Sequence, residues 1–171
     1  MVIKIENSKP KDIDVIFERY RVAADFQRSK FLKHIWPEFD RKMVETEIRE
    51  LRQFKIVVGE TIACVWAVTF NDPEIWGAHD RDPSVYIHRI AVHPDFRGHN
   101  FVRVIVRWAK NYAVSKNRKF IRLDTCGNNK RLIKHYTTNG FKFLGIEKLP
   151  YSEALPAHYH DADVCRFEIA L

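Results

Sequence analysis

The sequence predicts an α/β (α+β) fold, a mixed sheet with helices on both faces, and three observations carry that expectation. Strand-like runs occur in both hairpin order and strand–helix–strand order, which calls for antiparallel and parallel pairings together. Hydrophobic residues make up 46% of a 171-residue chain, enough for a packed core. No internal repeat, linker or low-complexity stretch interrupts the pattern, so the reading is one domain spanning residues 1–171.

Val2–Glu6 alternates and reads as a short strand. From about Asp12 to Gln27, Ile13, Ile16, Phe17, Tyr20, Ala23 and Ala24 recur at helical spacing, with Ser8 or Asp12 as cap and Pro10 tolerated near the start. Phe31–Phe39, with Trp36-Pro37, reads as a loop, and Asp40 precedes a second helix over roughly Arg41–Gln53. Phe54–Val58, Gly59-Glu60 and Thr61–Phe70 read as a hairpin. Its second strand is apolar on both faces, so both should be covered. Asn71–Pro83 holds several aspartates and two prolines and reads as a loop.

Val85–Val92 is the next strand, and His93–Arg97 a turn. Phe101–Val114 is the clearest helix, with an apolar stripe of Phe101, Ile105, Trp108, Ala109 and Tyr112. Lys119–Asp124 reads as a strand, Asn129–Asn139 as a helix and Phe141–Glu147 as a strand. Leu149–Asp163 reads as a solvated polar loop, and Val164–Leu171 as a closing strand with Cys165, Phe167 and Ile169 facing in.

The net charge of +7 favours anionic ligands, whether a phosphorylated cofactor, an acidic acceptor or nucleic acid, but it is spread along the chain. With no basic cluster interleaved with aromatics, nucleic-acid binding ranks last. Met1–Glu6 lacks the features of a signal peptide, and no run approaches the roughly 18 apolar residues of a membrane span. The expectation is a cytoplasmic protein without a membrane partner; a homodimer stays open. Cys64, Cys126 and Cys165 show no CxxC spacing, and His158-Tyr159-His160-Asp161 matches no ligand set, so no metal is expected.

Between Val92 and the best helix lies His93-Pro94-Asp95-Phe96-Arg97-Gly98-His99-Asn100-Phe101-Val102. A strand that turns into a helix N-terminus leaves backbone N–H groups unpaired, and with the helix dipole they form an anion site. Gly98 lets the backbone approach a phosphate, Arg97 adds charge and His99 a donor. An ordinary strand-to-helix turn is the alternative. Gly-Lys-Ser/Thr and the three-glycine dinucleotide fingerprint are both missing, which excludes those two phosphate motifs.

Val92-His93-Pro94 followed by Arg97 to Val102 resembles the GNAT N-acetyltransferases, which carry Arg/Gln-x-x-Gly-x-Gly/Ala after Val-x-Pro. Arg97 matches. Asn100 and Val102 stand where the family prefers Gly and Gly/Ala. Asn tolerates left-handed angles, whereas Val102 brings a branched side chain to the place where the backbone would approach a pyrophosphate. Downstream, Asn129-Lys130-Arg131-Leu132-Ile133-Lys134-His135-Tyr136-Thr137-Thr138-Asn139-Gly140-Phe141 is similar, without a gap, to the family's Asn-x-x-Leu-x-x-x-Tyr-x-x-x-Gly-Phe segment. It is the more specific match.

The resemblance implies a mostly antiparallel sheet whose two central parallel strands splay, with acetyl-CoA as co-substrate. The backbone of Ile90, Ala91 and Val92 would pair with pantetheine, Arg97 to Val102 would hold the pyrophosphate, and Asn129 the pantetheine amide. Tyr136, a phenol of ordinary pKa about 10, would protonate the departing thiolate; packing on Leu132 and Ile133 is its alternative role. Asp124 or His88 would take the acceptor's proton, or solvent would. Trp36, Phe39, His158 and Tyr159 would contact the acceptor. The implied function is acetyl transfer to a primary amine of a small molecule or peptide; the alternative is a non-catalytic CoA-binding domain of the same fold.

Overall fold

The computed structural model describes every residue, Met1–Leu171, and places seven strands in one sheet of order β1-β2-β3-β4-β5-β7-β6. The strands are β1 Ile3–Asn7, β2 Gln53–Val58, β3 Thr61–Thr69, β4 Ser84–Val92, β5 Phe120–Cys126, β6 Lys142–Lys148 and β7 Asp163–Ala170. The helices are α1 Ile13–Lys30, α2 Arg41–Arg49, α3 Pro73–Trp76, α4 Phe101–Ser115 and α5 Lys130–Thr138. Antiparallel ladders join β1 to β2, β2 to β3, β5 to β7 and β6 to β7. One parallel ladder joins Ser84–Tyr86 of β4 to Phe120–Arg122 of β5 and stops there, although both strands run on. The sheet is therefore mixed and mostly antiparallel, with a short parallel pairing at its centre as splayed strands require. No helix is long and apolar enough to cross a membrane.

The chain forms two compact units, Met1–Val68 with His88–His99, and Thr69–Ile87 with Asn100–Leu171. In the first, α1 buries Ile13, Ile16, Phe17 and Tyr20 against Val44 and Ile48 of α2, Val65 of β3 and Ala91 of β4. Residues Ala63 to Val68 of β3 are all buried, as its two apolar faces predict. The N-terminal segment is fixed by a buried pair, with Lys55 Nζ donating to Asp12 Oδ2 at 2.7 Å. Burial alone would raise the Asp12 pKa; hydrogen bonds from Lys55 and the Lys9 amide, with the charges of Lys55 and Lys11, outweigh it and hold it low.

Two boundaries shift. Helix α1 continues to Lys30, and α2 ends at Arg49 because buried Gln53 pairs with Ala67 in the β2–β3 ladder.

In the second unit α4 buries Phe101, Val102, Ile105, Val106, Ala109 and Ala113, while Trp108 and Tyr112 stack half-buried with centroids 4.7 Å apart. The inward face is thus rotated from the expected stripe. Segment Asn71–Pro83 is not a plain loop: Pro73 opens α3, and a 3₁₀ turn follows over Gly77–Arg81. Ile75 and Trp76 are buried with Tyr86, Leu149, Ala162 and Val164, which anchors this segment as a cover. On β7, Cys165, Phe167 and Ile169 are buried and Arg166 and Glu168 half-buried, matching the predicted alternation.

Candidate active site

The entry to α4 is built by two left-handed residues. Gly98 has φ +87°, and Asn100, the N-cap, has φ 50° and ψ 52°. The Asn100 side chain donates from Nδ2 to Asn139 Oδ1 at 3.1 Å. Asparagine thus occupies the conformation that glycine would supply more cheaply. Val102 is only 7% exposed. Its branched side chain belongs to the buried face of α4 with Phe101, Ile105 and Val106. Upstream, a 3₁₀ turn at Pro94–Phe96 precedes Arg97, whose guanidinium lies 4.6 Å from the Phe26 ring centroid.

Strand β4 carries an outlier just before the expected pantetheine residues. Arg89 has φ +52°, an uncommon angle for a side chain of its size. Its guanidinium is paired with Glu47, donates from Nε to the Tyr20 hydroxyl at 3.3 Å, and lies over the Tyr20 and Phe39 rings. Burial opposes the Arg89 charge, and these two partners overcome it. Such strain is held by its surroundings and concentrates at functional positions. Ile90, Ala91 and Val92 follow directly, and the His93 amide donates to the Ala63 carbonyl at 2.8 Å. Trp36 and Phe39 join Tyr20 in an edge-on aromatic group; Phe39 is buried and Trp36 half-buried. His88, half-buried, is pushed down to about 3 by burial and by the charges of Arg89 and Arg52, which makes it a weak base.

In the second unit the structure joins two residues that were expected separately. The Tyr159 hydroxyl donates to Asp124 Oδ2 at 2.8 Å, and His158 packs against the Tyr159 ring at 4.3 Å. Buried His158 and half-buried Tyr159 correct the expectation of a solvated loop; packing on α3 holds the segment down. Burial pushes the Asp124 carboxyl up to about 6, with the Tyr159 hydrogen bond pulling the other way. A base of that strength is half ionised near pH 6 and suits proton transfer near neutrality.

Asp72 was missed in the sequence. A carboxylate oxygen of Asp72 lies within 4.8 Å of one of Asp124. Burial, then the charges of Asp124, Asp80 and Glu74, push Asp72 up to about 8. Nothing local marks it, because a loop carries no periodicity and its partner is far along the chain. Cys126 is half-buried, and burial with the charge of Asp124 pushes its thiol up, which disfavours a nucleophile.

The same face of β5 carries Arg122, only 2% exposed at its side chain, which donates to Glu168 and Asp82 at 2.8 Å and to the His79 carbonyl at 2.7 Å. A pocket of about 310 Å³ opens here, lined by Trp76, His79, Phe120, Leu144 and Arg166 among others, and it contains none of the predicted site residues. On α5, Asn129 Oδ1 accepts from the Leu132 amide at 3.1 Å as N-cap. The buried Tyr136 ring packs on Phe141 and Phe167. Phe167 stands opposite Leu123, so Tyr136 lies on the other face of β5 from Asp124.

Set against known proteins, residues 20–141 match the acetyltransferase (GNAT) family. The uncharacterized N-acetyltransferase YesJ of Bacillus subtilis (strain 168) is 29% identical over 80 residues, 47% of this chain and 44% of YesJ, so the match spans less than half of that relative. A GNAT-family acetyltransferase from Listeria monocytogenes 4b F2365 superposes with a TM-score of 0.77 at 19% identity, over 99% of this chain and 95% of its own. The yncA protein of Salmonella typhimurium, solved with its cofactor acetyl-CoA, superposes with a TM-score of 0.69 at 14% identity, over 100% and 95% of the two chains. At these identities the superpositions speak to the fold.

Proposed function

Given that the chain belongs to the acetyltransferase (GNAT) family, we propose that it moves an acetyl group from acetyl-CoA to a primary amine of a small molecule or peptide, the amine nitrogen attacking the thioester carbonyl directly. The whole of residues 1–171 acts in this reading as one catalytic domain. The observation that carries it is the entry to α4, where left-handed Gly98 and Asn100 lead into the first turn of a helix and Arg97 stands alongside. A Cβ built at Gly98 meets nothing within 4 Å, so the loop has room for a ligand on its open side. Backbone amides there, with the helix dipole, suit a pyrophosphate.

Acetyl-CoA supplies an activated acyl group, and the remaining tasks fall to the chain. Backbone groups of Ile90, Ala91 and Val92, following the strained Arg89, orient pantetheine and offer an N–H to the developing oxyanion. Asn129 contributes at the start of α5. Asp124 takes the amine's proton, and its raised pKa supports that role over His88. Tyr136 hands a proton to the departing sulfur. Its position on the other face of β5 fits two separate proton transfers rather than one relay. Trp36, Phe39, His158 and Tyr159 flank the acceptor, with Tyr159 also holding Asp124.

Calorimetric titration with acetyl-CoA, followed by thiol release across a panel of primary amines, tests this reading. Absence of binding removes it; binding without turnover on any amine leaves a CoA-binding domain instead. Tyr136→Phe should lower turnover at least tenfold with acetyl-CoA affinity unchanged, and wild-type rates would end the acid role.

A further inference from the structure

Helix α1 places Phe26 outside the core, with 42% of its surface exposed. Two cations share its ring: the Arg97 guanidinium at 4.6 Å from the centroid and the Lys30 ammonium at 5.9 Å. Lys30 is four residues beyond Phe26, the spacing that stacks side chains on one helix face. Neither cation has a carboxylate partner, while the neighbouring Asp25 is already taken by Arg28. Two unpaired like charges gathered on one exposed ring repel each other, and the arrangement gains when an anion joins it. Arg97 is also the residue before Gly98, at the start of the left-handed turn into α4.

We propose that Phe26 is a positioning residue for donor binding, its ring holding Arg97, with Lys30 beside it, to meet the phosphates of acetyl-CoA. This rests on the acetyl-CoA reading above and extends it to α1, which carries none of the motif residues. A guanidinium held over a ring by cation–π attraction uses none of its N–H donors there and keeps them for phosphate oxygens. Stacking also restricts the Arg97 side chain before the ligand arrives, so less ordering is left for the binding step. The ring is exposed, so its truncation leaves the core intact.

The test uses the full chain and two probes: acetyl-CoA, and S-acetylpantetheine, which keeps the thioester arm and carries no phosphate. Phe26→Ala should raise the acetyl-CoA Kd about three- to tenfold and leave that of S-acetylpantetheine unchanged. Arg97→Ala should show the same selectivity. The Phe26→Ala/Arg97→Ala pair should bind about as weakly as Arg97→Ala alone, because the ring acts through the guanidinium. Phe26→Tyr and Phe26→Trp should restore affinity, and Lys30→Met should weaken acetyl-CoA only. Equal loss for both probes would show a merely structural ring and overturn the proposal, as would additive effects in the double variant. A wild-type chain that binds neither probe removes the donor reading itself; one that binds acetyl-CoA and tolerates Phe26→Ala removes only the role of Phe26.

Discussion

Tyr159→Phe removes one hydroxyl and leaves the ring that packs against the cluster of Ile75, Trp76 and Tyr86. The lost hydrogen bond is 2.8 Å long and ends on a carboxylate oxygen. Hydrogen bonds to charged groups contribute about 1.5–3 kcal/mol, and 1.36 kcal/mol corresponds to one pKa unit. The hydroxyl favours the anion, so its loss should raise Asp124 from about 6 by a further one to two units, roughly. Asp124 accepts a proton only as the carboxylate. The ascending limb of kcat/KM against pH should therefore move the same distance toward alkali. At pH 6 the variant should be roughly tenfold slower, and at pH 9 close to wild type. Thiol release under saturating acetyl-CoA across a pH series gives the limb, and carboxyl ¹³C NMR gives the Asp124 titration directly. If the NMR pKa rises while the kinetic limb stays, Asp124 is not the base. If neither moves, the Tyr159 hydroxyl does not stabilise the Asp124 carboxylate.

Asp72→Asn should stabilise the fold at alkaline pH: the native pKa of about 8 lies above the ordinary 3.8, so the protonated form's contribution is complete below about pH 4 and lost as pH rises through 8. Thermal melts should show no gain near pH 4 and about 2–4 kcal/mol near pH 9. Arg122→Ala strands Glu168 and Asp82 and should cost about 2–3 kcal/mol in urea unfolding, below the full range for a buried pair because Asp82 is half exposed. Gly98→Ala keeps open space around its Cβ yet meets the penalty of φ +87°, so acetyl-CoA affinity should fall five- to twentyfold, roughly, with little change in Tm.

A run apolar on both faces made β3 legible, period-two alternation made β7 legible, and the helical stripe made α1 and α4 legible, because burial along one element imprints directly on its residues. The left-handed backbone of Asn100 at the α4 entry also follows from what asparagine tolerates. What escaped depends on contacts between distant segments. Arg122 looks like an exposed outward residue of β5, and it is buried because α3 and the turn after it lie over that face. Tyr159 belongs to a polar stretch and shows its role only when Asp124, 35 residues away, is brought to it. Val102 was placed correctly on the chain, but which way its side chain points depends on the rotation of α4, and one helical position decides it.

The segment from Asp72 to Asp82 gives β5 two electrostatic characters on one face. Toward Arg122 it supplies a carbonyl at His79 and a carboxylate at Asp82, which with Glu168 neutralise the guanidinium. Toward Asp124 it supplies burial and a second carboxyl, and no cation. Had the Arg122 charge been left unpaired two residues from Asp124, it would have favoured the anion and kept that carboxyl near its ordinary value. Desolvation dominates at the other end and raises the Asp124 carboxyl to about 6. The cover therefore does chemical as well as structural work in this reading. Substitutions within it that keep the fold but loosen the Asp82–Arg122 pair should lower the Asp124 pKa and shift the kinetic limb toward acid, opposite in sign to the effect of Tyr159→Phe.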